Sequence, residues 1–119
     1  MIKNYLVKKN SSLLAAMQKV DKSGTRSLIV VDNNNKLLGT LTDGDIRRSI
    51  LKKNDLSGTI ESIYFKKPAY VLEKKFSKKL ANEIFEKKNC DIIPVIDGKK
   101  IVKDIILSKN FNAKKISAI

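Results

Sequence analysis

Three features of this 119-residue sequence predict an α+β fold made of two tandem β-α-β-β-α units, each carrying its own small sheet. Short runs rich in Val, Ile and Leu alternate with stretches of helical spacing. Residues 28–48, LIVVDNNNKLLGTLTDGDIRR, read in order as strand, turn, strand and helix, with Gly-x-x-Thr-x-x-Asp spacing where the second strand meets the helix. The unit then recurs about 65 positions further on. Tyr5-Leu6-Val7-Lys8-Lys9 aligns with Tyr70-Val71-Leu72-Glu73-Lys74, Ser12 with Ser77, and 28–32 with 93–97. A one-residue deletion in the turn brings Lys36-Leu37-Leu38 opposite Lys100-Ile101-Val102.

In chain order, the first strand includes Leu6, Val7 and Lys8. Ser12 can cap a helix whose apolar side is Leu13, Leu14, Met17 and Val20, and Gly24 supplies its left-handed end. Strands are expected at 27–31 and 36–42, then a helix at 43–53 with Gly44 in its first turn. A connector at 54–58 precedes a short helical turn marked by Ile60, Ile63 and Tyr64, which Pro68 brings to an end. The second unit follows with a strand at 69–72, Ser77 as cap, and a helix to about residue 88 with Leu80, Ala81, Ile84 and Phe85 on one face. Its strands at 92–96 and 101–106 are joined by Asp97-Gly98, a strong hairpin signal. This divides the chain into a first unit at 1–58 and a second at 59–110. Residues 111–119 turn lysine-rich and then apolar, and read as a linker toward a further domain.

Composition narrows the chemistry. With 42% hydrophobic and 31% charged residues the chain is an ordinary globular one. No apolar run approaches the ~20 residues of a membrane span and no signal-peptide pattern opens the chain, so a cytoplasmic location without membrane contact is expected. The sequence has no histidine and one cysteine, Cys90, which excludes a Cys/His metal cluster, a Ser/His or Cys/His catalytic pair and an internal disulfide. Cys90 reads as a small, partly buried hydrophobe just ahead of a strand. A net charge of +13 raises nucleic acid as a partner. The excess is nearly all lysine, spread as pairs over both units with no interleaved aromatics, which favours a solvated surface and makes nucleic acid an unlikely partner.

The tandem, closed in its first unit by Gly39-Thr40-Leu41-Thr42-Asp43-Gly44-Asp45-Ile46-Arg47-Arg48, resembles a CBS-domain pair, also called a Bateman module, over nearly the whole chain. The wording LLGTLTDGDIRRSIL, with a degenerate second repeat and an apolar exit, resembles the regulatory pair ahead of a sugar-nucleotidyltransferase domain of the mannose-1-phosphate guanylyltransferase kind. The resemblance implies a non-catalytic regulatory fragment that packs as a CBS pair and associates as a homodimer through its helices. No cofactor is essential, and the implied regulatory ligand is AMP, ADP or ATP held between the repeats. It places Thr42 and Asp45 on phosphate and ribose, Leu6, Val7 and Lys8 at the first-strand edge, and Arg26, Ser27 and Leu28 on the segment that leads into the second strand.

The chemistry of the residues agrees. A carboxylate at Asp45 repels phosphate but accepts hydroxyl hydrogens, so it suits a ribose, and the Thr42 hydroxyl can donate to a phosphate oxygen. The helix start at Asp43 and Gly44 offers free N–H groups to an anion, and Arg47 or Arg48 could complete the phosphate contact, spacing leaving open which. The same Thr-x-x-Asp spacing is also a capping-box variant, a purely local use of Thr42 and Asp45. In the second repeat Gly39, Thr42 and Asp45 fall opposite Lys103, Ile106 and Lys109, so at most one good nucleotide site is expected. That loss leaves a ligand-free dimerisation scaffold as the alternative function.

Overall fold

The computed structural model describes residues 2–53, 56–88 and 90–109. A short 3₁₀ turn (Ile2–Tyr5) leads into β1 (Leu6–Lys8), α1 (Leu13–Ser23), β2 (Ser27–Val31), β3 (Leu37–Thr42) and α2 (Asp43–Lys53). The second unit supplies β4 (Val71–Leu72), α3 (Lys78–Lys88), β5 (Ile92–Ile96) and β6 (Val102–Leu107). The fold is α+β as expected, with one three-stranded sheet per unit in the orders β1-β2-β3 and β4-β5-β6. In each sheet the first strand runs parallel to the middle one, which forms an antiparallel hairpin with the third.

Local signals set the helix ends. Ser12 accepts a hydrogen bond from the Ala15 N–H at 3.0 Å, and Gly24 stops α1 at a φ of 75° that a side chain would resist. Ser77 caps α3 in the same way, accepting from the Leu80 N–H at 3.2 Å.

The middle strands β2 and β5 are buried along their whole length because each is covered on both faces. On one face of the first sheet Leu28, Val30 and Leu41 pack with Leu13, Ala16 and Ile46 of α1 and α2. On the other, Leu6, Ile29 and Val31 meet Ile92, Ile96, Val102 and Leu107 of the second sheet. Val71, Ile93 and Val95 complete the second unit against Ala81 and Phe85 of α3. The central apolar layer therefore belongs to both repeats.

The hairpins correct the repeat alignment. Asp32 Oδ1 accepts from the N–H groups of Asn34 and Lys36 at 2.8 and 2.9 Å, and Asp97 Oδ1 from those of Lys99 and Ile101 at 2.8 and 3.0 Å. Asn35 and Lys100 take the left-handed conformation, at φ 64° and 68°, so in the second hairpin it is Lys100 and not Gly98 that turns the chain. These features recur 65 positions apart, so the turns are equal in length and the deletion expected there is absent. The shift lies earlier. The bonds Lys9 N–H to Val31 O and Ser11 N–H to Lys8 O recur as Glu73 N–H to Ile96 O and Lys75 N–H to Leu72 O, so Lys8, Lys9 and Ser11 recur 64 positions on while Val31 recurs 65 positions on. One additional residue ahead of α3 restores the offset at Ser77, and the counterpart of Lys8 is Leu72. Gly39 and Thr42 thus stand opposite Asp104 and Leu107 rather than Lys103 and Ile106. The same offset puts Asp45 opposite Asn110, which lies outside the described residues.

Strand limits differ for similar reasons. Lys36 leaves β3 to bridge Ile101 of the other hairpin, where Leu37 N–H donates to Lys100 O at 2.9 Å and Val102 N–H to Asn35 O at 3.0 Å. This stitching of the two tips also starts β6 at Val102. β4 is cut to two residues, shorter than the expected 69–72.

The chain after α2 stays on the first unit. Ile60 is fully buried in the first core, and its backbone and that of Gly58 bond Ser11 and Leu13. The expected helical turn forms, with Ile63 N–H on Ile60 O at 3.0 Å, and Phe65 then exchanges two backbone hydrogen bonds with Thr40 on the outer edge of β3. Asn54 in the connector and the expected linker at 111–119 fall outside the described residues.

Candidate functional site

The register Ser27 to Thr42 ends the first hairpin at one edge of the inter-repeat layer, and α2 begins at the next residue. Its Asp43 N–H donates to the Arg26 carbonyl at 2.8 Å, which binds the helix start to the segment ahead of β2. Thr42 Oγ1 accepts from the Asp45 N–H and Asp45 Oδ2 from the Thr42 N–H, both at 3.0 Å. This is the reciprocal capping box that the spacing allows. It leaves ligand-binding capacity intact, because the Thr42 hydroxyl serves there as acceptor and keeps its proton to donate. Each Asp45 oxygen also retains a lone pair.

Arg48 Nη2 bonds Asp45 Oδ1 at 2.7 Å. Its guanidinium lies over Gly44, where an added Cβ would come within 3.4 Å of Arg48 Nη1. Arg47 instead pairs with Asp43 at 3.5 Å and lines a groove between α1 and α2, a cavity of about 420 Å³ whose walls include Leu14, Met17, Ile46 and Ile50. Of the two arginines, Arg48 is the one paired with Asp45 at the corner, while Arg47 turns to the α1–α2 groove.

The remaining expected residues are only partly brought together. Arg26 and Ser27 adjoin the corner, and Ser27 is buried. Leu28 and Val7 point into the core beneath the helices, and Leu6 into the inter-repeat layer, so none presents a side chain to the corner. Lys8 is at the opposite end of the sheet. It pairs with Val31, and its ammonium bonds Asp32 O at 3.0 Å and Asn35 Oδ1 at 3.2 Å. The parallel direction of β1 carries it away from Thr42.

Asp91, absent from the expected set, joins the two repeats here. It is the counterpart of Arg26, its Oδ2 accepts from the Arg26 N–H at 2.8 Å, and its carbonyl accepts from the Ser108 N–H at 3.0 Å. Its Oδ1 is buried with no donor in reach among the described residues. No local spacing signals a contact spanning 65 residues, and the repeat offset was the only pointer to it. Cys90, beside it, is half-buried, and burial, reinforced by the Asp91 charge, pushes its thiol up and keeps it unreactive, as its context suggested.

Comparison with known proteins points one way. Residues 1–52 match the family model described as the CBS domain. An uncharacterized protein of Rickettsia prowazekii is 31% identical over 97 residues, which are 82% of this chain and 30% of that protein. The chain spans 30% or less of the length of the curated relatives it matches. Among solved structures, the CBS domain pair of protein MJ0100, in complex with 5′-methylthioadenosine and S-adenosyl-L-methionine, is 25% identical with a TM-score of 0.76, covering 96% of this chain and 89% of that one. CBSX2 in complex with AMP is 18% identical with a TM-score of 0.75, covering 95% and 87%. The two sheets meeting face to face, the matched first repeat and these neighbours together make the fold of this chain that of a CBS-domain pair.

Proposed function

We propose that the chain is a non-catalytic regulatory module that binds an adenine-type nucleotide at the first corner, between its two repeats. The observation that carries this reading is the corner itself, where the capping box leaves the Thr42 hydroxyl proton and lone pairs on Asp45 beside the Gly44 N–H, the Asp43 N–H that was expected free being taken by the Arg26 carbonyl. In this reading Asp45 holds the ribose, Thr42 and the helix start hold phosphate, and Arg48 offsets the Asp45 charge that would repel it. The adenosine-bearing ligands of MJ0100 and CBSX2 support the ligand class. Leu107 in place of Thr42 removes the donor from the second corner, so a single site is expected.

The module acts on a catalytic domain elsewhere in a longer protein, in keeping with the short span of its relatives that it covers. The wording around Asp45 favours a sugar-phosphate nucleotidyltransferase. No described helix is long and apolar enough to cross a membrane.

Calorimetry tests the site. Asp45→Ala and Thr42→Ala should each weaken AMP, ADP or ATP by about tenfold to a hundredfold, the effect of losing a charged or buried hydrogen bond. Unchanged affinity in both would remove the corner from the site. A second reading, a dimerisation scaffold, is favoured by the α1–α2 groove, where Leu14 and Met17 are 47% and 38% exposed. It predicts a dimer in sedimentation without ligand and no nucleotide-dependent rise in melting temperature.

A further inference from the structure

The two repeats differ most plainly at the end of the molecule opposite the corner, where the hairpin tips meet. In the first unit the Lys8 ammonium folds onto its tip, bonding Asp32 O at 3.0 Å and Asn35 Oδ1 at 3.2 Å. Its counterpart in the second unit, Leu72, has no ammonium to place there, and a cavity of about 510 Å³ lies between the end of β4 and the second tip. Asn10, Ser11 and Asn34 correspond to Lys74, Lys75 and Lys99, all three of which line that cavity. Three neutral positions of one repeat are three cations around an open space in the other.

These charges are unspent. All three lysines are exposed, and among the described residues none takes part in an ion pair or a side-chain hydrogen bond. Two carboxylates, Glu73 and Asp97, share the cavity wall. Asp97 is already occupied, its Oδ1 accepting from the Lys99 and Ile101 N–H groups at 2.8 and 3.0 Å and its Oδ2 lying 3.9 Å from Lys103 Nζ. Glu73 alone opposes the three ammoniums, so the cavity keeps a positive balance that favours an anion. An ammonium is a point charge without the fork that grips one planar group, and three of them suit an anion whose charge is spread along its length. Among the described residues no aromatic side chain lines the cavity, so nothing there stacks on a base.

We infer that this cavity is a second anion site, separate from the nucleotide corner, and that it takes a short chain of phosphates of the pyrophosphate or tripolyphosphate kind. Lys74 and Lys75 hold the chain from the β4 side and Lys99 from the hairpin tip. The second repeat, without a donor at its own corner, thus carries a ligand at its other end.

Calorimetry of the intact chain with orthophosphate, pyrophosphate and tripolyphosphate tests this, at about 0.15 M salt to screen loose attraction to scattered lysines. Affinity should rise with each added phosphate. The triple variant Lys74→Gln, Lys75→Gln, Lys99→Gln should weaken tripolyphosphate by about tenfold to a hundredfold. Lys22→Gln, Lys52→Gln, Lys87→Gln, the same loss of charge at exposed positions on the three helices, should leave it near wild type. Both ligand-free variants should melt with the wild type, because the side chains are exposed. AMP affinity should be unchanged in the cavity variant, and tripolyphosphate affinity unchanged in Asp45→Ala, so failure of either site is seen without the other. In Asp45→Ala, ATP binding more weakly than tripolyphosphate supports a free phosphate chain as ligand, and equal binding supports the tail of a nucleotide in the same cavity. Equal weakening of tripolyphosphate by both triple variants, or a wild-type chain that does not bind it, overturns the site.

Discussion

Gly39 stands where the chain returning from α2 crosses the outer edge of β3. A Cβ there would overlap the Phe65 carbonyl oxygen and the Tyr64 ring, so only glycine lets Phe65 pair with Thr40. The motif glycine therefore belongs to the backbone of the first unit rather than to a ligand. Its counterpart, Asp104, is exposed, and its side chain turns back to accept from the Ile105 N–H. Gly39→Ala should destabilise the protein by about 1–3 kcal/mol, the usual cost of overfilling a close contact. Melting followed by circular dichroism should show Tm lower by roughly 5–15 °C. Nucleotide affinity measured well below that Tm should stay near wild type, and a large loss of affinity would place Gly39 in the site after all. The residue scale also shows the reach of sequence reading. The Thr42–Asp45 box was legible because both partners lie within one turn. The choice between Arg47 and Arg48 was not, because both lie in the first half of α2 and each has an aspartate at i−4 or i−3 to pair with.

At the scale of elements, the two hairpins carry a built-in acid sensitivity. Backbone N–H groups, led by those of Lys36 and Ile101, hold the Asp32 and Asp97 carboxyls below the usual carboxylate range. A depressed folded-state value means that these turns are stabilised above the ordinary range. The contribution is lost as pH falls through the depressed values, from about pH 4 downward. Asp32→Asn with Asp97→Asn keeps an acceptor in each turn but removes the titration. Urea midpoints measured from neutral pH to about pH 2 should fall less steeply in this variant below pH 4, and start lower at neutral pH. Parallel curves would show that the turns do not couple to acid unfolding. Helices and middle strands matched expectation nearly to the residue, since caps such as Ser12 and runs such as 92–96 are local signals. The misplaced register shift has an equally physical origin. The Tyr5–Tyr70 match aligned side chains, whereas backbone hydrogen bonds set the true offset, and lysine-rich turns left nothing in sequence to locate the additional residue.

For the molecule as a whole, the decisive feature is that the central layer is shared. Leu6, Ile29 and Val31 are packed on that face against Ile92, Ile96, Val102 and Leu107 of the second sheet, with Ile2 and Tyr5 of the 3₁₀ turn also against the cluster, and the tips and the Arg26–Asp91 contact fasten the sheets at both ends. The resemblance implied that the units pack as a pair, but neither the contacts at the tips nor the far-end position of Lys8 could be read from spacing, because each depends on which strand ends the fold brings together. The shared layer requires the repeats to unfold as one unit, and Ile29 is the residue with which to test it, being fully buried against the second repeat. Ile29→Ala should cost about 2–5 kcal/mol, as large-to-small changes in a packed interior do. The urea transition should shift to a lower midpoint yet remain single, with the same slope as wild type. Val95→Ala, in the second unit's own core, should move the same single transition. Were the repeats independent, Ile29→Ala would instead split the curve, leaving one part at the wild-type midpoint. A single displaced transition in both variants would mean that the corner at Thr42 exists only while the second repeat is folded against the first, which is the physical condition for one repeat to carry the site and the pair to carry the response.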